Sequence, residues 1–198
     1  MPMTAPALAH TKRWAYRWSR WRAMAMILFG RHGAAMGIFA DLLARYPNDP
    51  YALASRAHLQ AQRGHREAAL ADYRQLLEAH PEHSAASWFN YGYMLEEGGE
   101  HEQAEKAFRR AVALDPKLDR AWYGLGLVLI RAHRFDEAIE ALKRNTELQP
   151  MSPYGWYQLA RVHVDRHEPE EARRIIRHLK GFEPKVAAQL ERETGLAV

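Results

Sequence analysis

The sequence predicts an all-α protein, an α-solenoid of about five stacked helix hairpins closed by a short C-terminal capping helix. Three observations carry this. Trp122, Leu125, Gly126, Leu129, Ala138, Leu142 and Pro150 have counterparts 34 residues earlier, at Trp88, Tyr91, Gly92, Leu95, Ala104, Phe108 and Pro116. The same shift forward reaches Trp156, Leu159, Ala160, His163, Ala172, Ile176 and Pro184. A period of that length marks a stacked array rather than a single-core globule. The second observation is that no segment alternates apolar and polar residues as a strand does. The third is the closing proline of each unit, which cannot continue a helix and biases the residue before it toward extended geometry.

The chain starts with Pro2 and Pro6 among small residues, so residues 1–10 read as a flexible terminus. A helix is then expected from about Thr11 or Lys12. Trp14, Trp18, Trp21, Ala25 and Leu28 follow spacings of four, three, four and three, one stripe of a helix, with Arg13, Arg17 and Arg20 beside it. Ala35, Phe39, Leu42 and Pro47 supply the second half of a degenerate repeat, making 11–49 one segment. Setting Trp18 at the repeat's tryptophan position requires one extra residue in the turn. The first reading of the Trp stripe is packing on the next helix. The alternative is docking on a membrane or membrane protein through Trp14, Arg17, Trp18 and Trp21, because Trp and Arg together suit an anionic interface.

Four units follow over 50–186. The first, 50–83, carries Leu53, Arg56, Ala57 and Gln60, a turn at Gly64, then Ala69, Tyr73, Leu76 and Pro81. Arg56 and Gln60 depart from the apolar pattern. Ser84 is a one-residue insertion. The unit 85–118 turns at Gly98-Gly99, and 119–152 and 153–186 have His133 and His167 where glycine is usual. The small residues Ala57, Gly92, Gly126 and Ala160 let the two helices of a hairpin approach closely. After Pro184 one short polar-faced helix is expected, and 187–198 reads as the C-terminal cap.

This pattern resembles the tetratricopeptide repeat (TPR), whose signature is W-x2-L-G-x2-Y, then A-x3-F, then P. The resemblance implies a solenoid that binds a protein partner, as a peptide segment or a subunit of a complex, along a concave groove lined by the first helix of each unit. Carried over residue by residue, the groove would comprise Tyr51 and His58; Phe89, Asn90, Tyr93 and Glu97; Arg120, Tyr123, Leu127, Ile130 and Arg131; and Tyr154, Tyr157, Gln158, Arg161 and Asp165. Exposed aromatics give contact area at low entropic cost. The arginines beside them favour a carboxylate-bearing segment. Asn90 and Arg120 stand where some family members clamp a chaperone's C-terminal carboxylate. Ala54, His58 and Gly124 do not complete that clamp, so chaperone-tail binding is not predicted.

Composition excludes more than it identifies. With no cysteine, there is no disulfide or thiolate chemistry. No apolar run reaches the roughly 18–20 residues that span a bilayer, and no secretion signal with a cleavage site is apparent. The net charge of +4 is uneven. Lys12, Arg13, Arg17, Arg20, Arg22 and Arg31 precede the first acid, Asp41, leaving 22 of the 28 Lys and Arg against all 24 acids in the rest. The array therefore has no basic excess, and nucleic acid is not an expected partner. No phosphate-binding glycine loop follows a strand. His163 and His167 lack a third ligand at metal-binding spacing. No catalytic residue, metal, cofactor or small-molecule substrate is predicted, and the expected setting is cytoplasmic or peripheral on the inner face of a membrane.

Overall fold

A computed structural model describes residues 5–198, with side chains from Trp14 onward. Among the described residues there are eleven helices and no strand. The chain divides into two compact units, 1–83 and 84–198.

Unit 1 holds α1 (Ala5–Leu28), α2 (His32–Arg45), α3 (Pro50–Gln62) and α4 (Arg66–Ala79), each packed on the next. The helix α1 starts at Ala5, earlier than the start expected near Thr11, and residues 1–4 lie outside the described residues. Ala and Leu favour helix, and Pro6 at its second residue removes a donor that no helical partner would meet. The turn after α1 also corrects the expected register. Gly30 at φ +68° and Gly64 at φ +77° are the same left-handed turn residue. Arg31 N–H donates to Met26 C=O (2.7 Å) as His65 N–H donates to Gln60 C=O (2.9 Å). No extra residue is present. Ser19, not Trp18, takes the tryptophan position, and the small residue is Ala23, fully buried 34 before Ala57. A slip of one residue rotates a helix face by about 100°, which turns the Trp stripe away from the core.

Arg56 and Gln60, the polar departures in α3, have different outcomes. Arg56 makes a bidentate pair with Asp72 of α4, Nε to Oδ2 at 2.7 Å and Nη2 to Oδ1 at 2.6 Å. Asp72 is only 4% exposed. This hydrogen bond raises the Arg56 pKa against the opposing effect of burial. Gln60 is buried with its Oε1 unpartnered.

Unit 2 holds α5 (Ala85–Glu97), α6 (His101–Leu114), α7 (Asp119–Arg131), α8 (Phe135–Leu148), α9 (Pro153–Asp165), α10 (Pro169–Lys180) and α11 (Pro184–Thr194). Consecutive helices pack in sequence, and α5, α7, α9 and α11 also touch side by side. Each hairpin turn again uses a left-handed residue: Gly99 at φ +80°, then His133 at +56° and His167 at +62°. The recurring Trp and Pro prove to be partners. The indole N–H of Trp122 donates to Pro116 C=O (3.0 Å) and that of Trp156 to Pro150 C=O (2.9 Å). Each tryptophan thus meets a carbonyl freed where the preceding helix ends.

Glycines set the spacing. A Cβ on Gly126 would stand 2.8 Å from Leu142 of α8, and one on Gly92 would stand 3.0 Å from Phe108 of α6. Gly124 meets Phe108 from the next hairpin, where a Cβ would come within 2.7 Å of the ring tip. Phe108 is fully buried between them. At the C-terminus Ala187 and Leu190 of α11 are completely buried against α9 and α10, and Lys180 reaches Glu191 at 3.0 Å.

Candidate functional site

In unit 2 the first helix of each hairpin presents one face in a row, α5 beside α7 beside α9. The row carries the expected aromatic and arginine positions, and α11 closes its end.

On α5, Phe89 is half-buried and stacks on Tyr93, with ring centroids 6.3 Å apart. Its inner edge meets Phe108 at 6.0 Å. Tyr93 is exposed and donates to Glu97 at 2.7 Å, a bond that holds the phenol proton and raises its pKa. Asn90 is half-buried on the same helix. On α7, the Arg120 guanidinium lies 5.0 Å over the Phe89 ring. Tyr123 and Leu127 are half-buried on the same helix. Arg131, at its far end, pairs with Glu96 of α5.

On α9, Tyr154 is 70% exposed. Tyr157 donates to Glu193 of α11 at 2.6 Å, and Arg161 donates to the Tyr157 oxygen at 3.2 Å and reaches Glu193 at 3.3 Å. The Tyr157 hydrogen bond, followed by those from Gln189 and Arg161, holds the Glu193 carboxyl below the usual range. Tyr123, Tyr154, Tyr157 and Gln158 then line an open cavity of about 310 Å³ with Pro153 and with Val186 and Gln189 of α11. The three expected arginines therefore differ. Arg131 and Arg161 are committed to carboxylates of this chain, whereas Arg120 has an aromatic ring beneath it and no carboxylate partner among the described residues.

The two groove positions assigned to unit 1 differ from each other. Tyr51 is half-buried, edge-on to Phe39 at 6.0 Å and covered by the Arg20 guanidinium at 4.0 Å. His58 is exposed and bonded to Gln62 at 3.0 Å. Here the Arg20 side chain of α1 covers the Tyr51 ring of α3.

The Trp stripe of α1 contradicts its first reading. Trp14, Trp18 and Trp21 are 67%, 64% and 63% exposed, and Met24, Leu28 and Phe29 are exposed with them. The helix packs instead through the opposite side. Tyr16 donates to Asp49 at 2.6 Å and meets Tyr46 edge-on, and Ala23 is buried. Burial and then the Asp49 bond push the Tyr16 pKa up.

Two further features were not read from the sequence. A cavity of about 520 Å³ lies on the other side of α9, lined by Trp156, His163, Lys143, Glu147, Arg174 and His178 among others. Its charges are of both signs. Gly155 faces Asn145, whose amide donates to Asp119 C=O at 3.0 Å, and a Cβ there would stand 2.1 Å from the Asn145 oxygen. His163, considered above with His167 as a ligand pair, is buried with Nδ1 2.7 Å from Glu168. No group of three metal-ligating side chains forms among the described residues. No helix is long and apolar enough to cross a membrane, among the residues described.

The fold and this row of first helices define an α-helical repeat protein of the hairpin-stacking class. Tetratricopeptide-repeat profiles match residues 55–119 and 94–157, and the chain belongs to the tetratricopeptide-repeat family. Membership supports a protein-interaction scaffold. Solved structures show the same fold. MamA from Desulfovibrio magneticus RS-1 is 21% identical, with 90% of this chain and 96% of that one covered and a TM-score of 0.73. YrrB, a TPR protein with an unusual peptide-binding site, is 17% identical, with 86% and 88% covered and a TM-score of 0.78. A tetratricopeptide repeat protein from Parabacteroides merdae ATCC 43184 is 20% identical, with 91% and 73% covered and a TM-score of 0.76. No curated protein sequence matches the chain.

Proposed function

We propose that this chain is a non-enzymatic adaptor that binds an acidic segment of a protein partner on the α5–α7–α9 face. The observation that carries the reading is Arg120. Its guanidinium rests on Phe89 while its edge N–H groups remain available, the arrangement that suits bidentate capture of a carboxylate. Tyr93, stacked on Phe89, and Tyr154 on α9 are both exposed and add apolar area to the same row. Leu127, Tyr157 and Gln158 complete the face with Phe89, Asn90 and Tyr123; Arg131 and Arg161, paired with Glu96 and Glu193, border it, and Tyr51 and His58 of the expected groove are not part of it. The peptide-binding site that YrrB carries on the same fold supports a peptide as ligand. The reading involves no catalytic residue, metal, cofactor, nucleic acid or small-molecule substrate, and it places the chain in the cytoplasm.

The test uses Tyr93→Ala with Tyr123→Ala, and Arg120→Gln alone, in capture of partners from extract followed by mass spectrometry and then binding of acidic peptides from what is caught. Loss of capture with intact helical signal and melting is expected for both variants. Capture by the double variant at the parent level would place the binding surface elsewhere.

A second reading is favoured by the exposed tryptophans of α1. In it the chain is an assembly factor or accessory subunit of a membrane complex, docked at the inner face through Trp14, Arg17, Trp18 and Trp21. The two readings are compatible, since the surfaces are on different units.

A further inference from the structure

The exposed side of α1 has a geometry that selects among docking partners. At about 100° per residue, Trp14, Trp18, Trp21, Ala25 and Leu28 fall within a sector of about 80°, along roughly 21 Å of helix. The stripe is straight, and it lies opposite the side on which Tyr16 and Ala23 anchor the helix to its unit. Arg17 and Met24 border it on one flank, Arg22 and Phe29 on the other, by the same angular count. Arg17 lies 5.8 Å over the Trp14 ring. Arg20, by contrast, is engaged with Tyr51 of its own unit. The sequence adds Lys12, Arg13 and Arg31, and no acid precedes Asp41.

We infer that this side of α1 lies flat in the headgroup layer of an anionic bilayer, with the indoles at the boundary of the acyl region and the flanking arginines on lipid phosphates. This rests on the membrane-docking reading above and specifies lipid as what the helix meets. Charge complementarity decides for lipid over protein. Exposed Arg17 and Arg22 flank the stripe in a stretch with no acid before Asp41, which matches a surface of a single sign, whereas protein interfaces deplete charge at their centre. Amphipathic Trp rings prefer the interfacial depth, and Arg stems can lie along apolar surface while their heads remain in water. The inward side of α1 is already used by its own unit, so binding needs no unfolding of the repeat.

The whole chain is floated with vesicles of phosphatidylcholine alone and with added phosphatidylglycerol, in low and high salt, and with native membranes. The variants are Trp14→Ser/Trp18→Ser/Trp21→Ser and Arg17→Gln/Arg22→Gln. Each arginine near an anionic surface is worth about fivefold in partitioning, so the double Arg variant should lose about 25-fold. Expected results are flotation on anionic vesicles only, weakening with salt, loss in the Trp variant, and quenching of Trp emission by brominated lipid. Because all three tryptophans are exposed, the Trp variant should melt like the parent. Flotation of the Trp variant at the parent level overturns the inference. So does failure on anionic vesicles combined with Trp-dependent binding to native membranes, which leaves docking on a membrane protein. A concentration-dependent dimer abolished by the Trp variant, without flotation, assigns the surface to a second copy. No binding to vesicles or native membranes overturns both the inference and the docking reading.

Discussion

Gly124→Ala separates two opposed physical effects. Replacing a glycine inside a helix by alanine normally stabilises by about 1 kcal/mol, because glycine has more backbone freedom to lose. Gly124 is inside α7, but the new Cβ would stand 2.7 Å from Cζ and 2.8 Å from Cε1 of Phe108. Carbon atoms meet comfortably at about 3.5–4.0 Å, so the ring would need to retreat by nearly 1 Å. It has little room. Gly92 closes on the same ring with a Cβ position only 3.0 Å away, and Phe89 covers another side. Overpacking of this kind costs about 1–3 kcal/mol. With the ring confined, the upper part of that range applies, and the net loss is about 2 kcal/mol. For a chain of this size that corresponds to about 4–8 °C in Tm. Thermal unfolding followed by far-UV circular dichroism measures it. Gly37→Ala is the internal control: Gly37 lies within α2 and a Cβ there meets nothing within 4 Å, so this variant should melt higher than the parent. Phe108→Leu added to Gly124→Ala should cost less than it does in the parent. A Gly124→Ala protein as stable as Gly37→Ala would show that the ring has room, and the packing argument would fail. The consequence reaches the proposed binding face, because Phe108 supports Phe89 and Phe89 supports Arg120.

Other expectations concern charge and backbone. Asp72→Ala strands the Arg56 guanidinium, which is largely covered, and should cost about 3 kcal/mol; Asp72→Leu with Arg56→Leu should recover most of it in urea unfolding, and non-recovery would mean that the pair specifies more than its own neutralisation. His167→Gly relieves a left-handed non-glycine residue at φ +62° and should stabilise by about 1 kcal/mol, read as a higher urea midpoint; a lower midpoint would show that the imidazole makes a contact worth more than the strain. Four charges tie α6 to the start of α8: Arg109 and Arg134 each reach Glu105 at 2.8 Å, and they reach Glu137 at 2.6 and 2.7 Å. Burial works to raise the Glu105 pKa, but hydrogen bonds from Arg109 and Arg134 more than offset it and hold the carboxyl below its ordinary value. A depressed carboxyl binds its proton more readily when unfolded, so its contribution is complete above about pH 4.3 and is lost as pH falls through the lower folded value. Stability against pH should therefore fall less steeply below pH 4.3 in Glu105→Gln than in the parent; parallel curves would remove Glu105 from the acid response.

Much of the array was legible because repetition displays its own constraints. The small residues at Gly92 and Gly126 and the bulky ones at Phe108 and Leu142 sit at fixed offsets, and the structure puts them in contact. Even the histidines at 133 and 167 were visible as departures from glycine. Their positive φ follows from the turn they share with Gly64 and Gly99. What the one-dimensional pattern could not show was pairing between side chains on different helices. Arg56 read as a weak match until Asp72 appeared sixteen residues away across the hairpin. Arg120, Arg131 and Arg161 were equivalent in sequence, and partners on neighbouring helices made them unlike.

The N-terminal helix draws the boundary most sharply. Its 3.6-residue periodicity showed from sequence alone that the tryptophans share one side. Which way that side turns depends on where the next helix docks. That was decided by burial of Ala23 and by the bond from Tyr16 to Asp49, a residue far along the chain. Local spacing determines the period of a helix, because backbone geometry is local. The direction its apolar side faces is a property of contacts between segments, and those exist only in the folded unit.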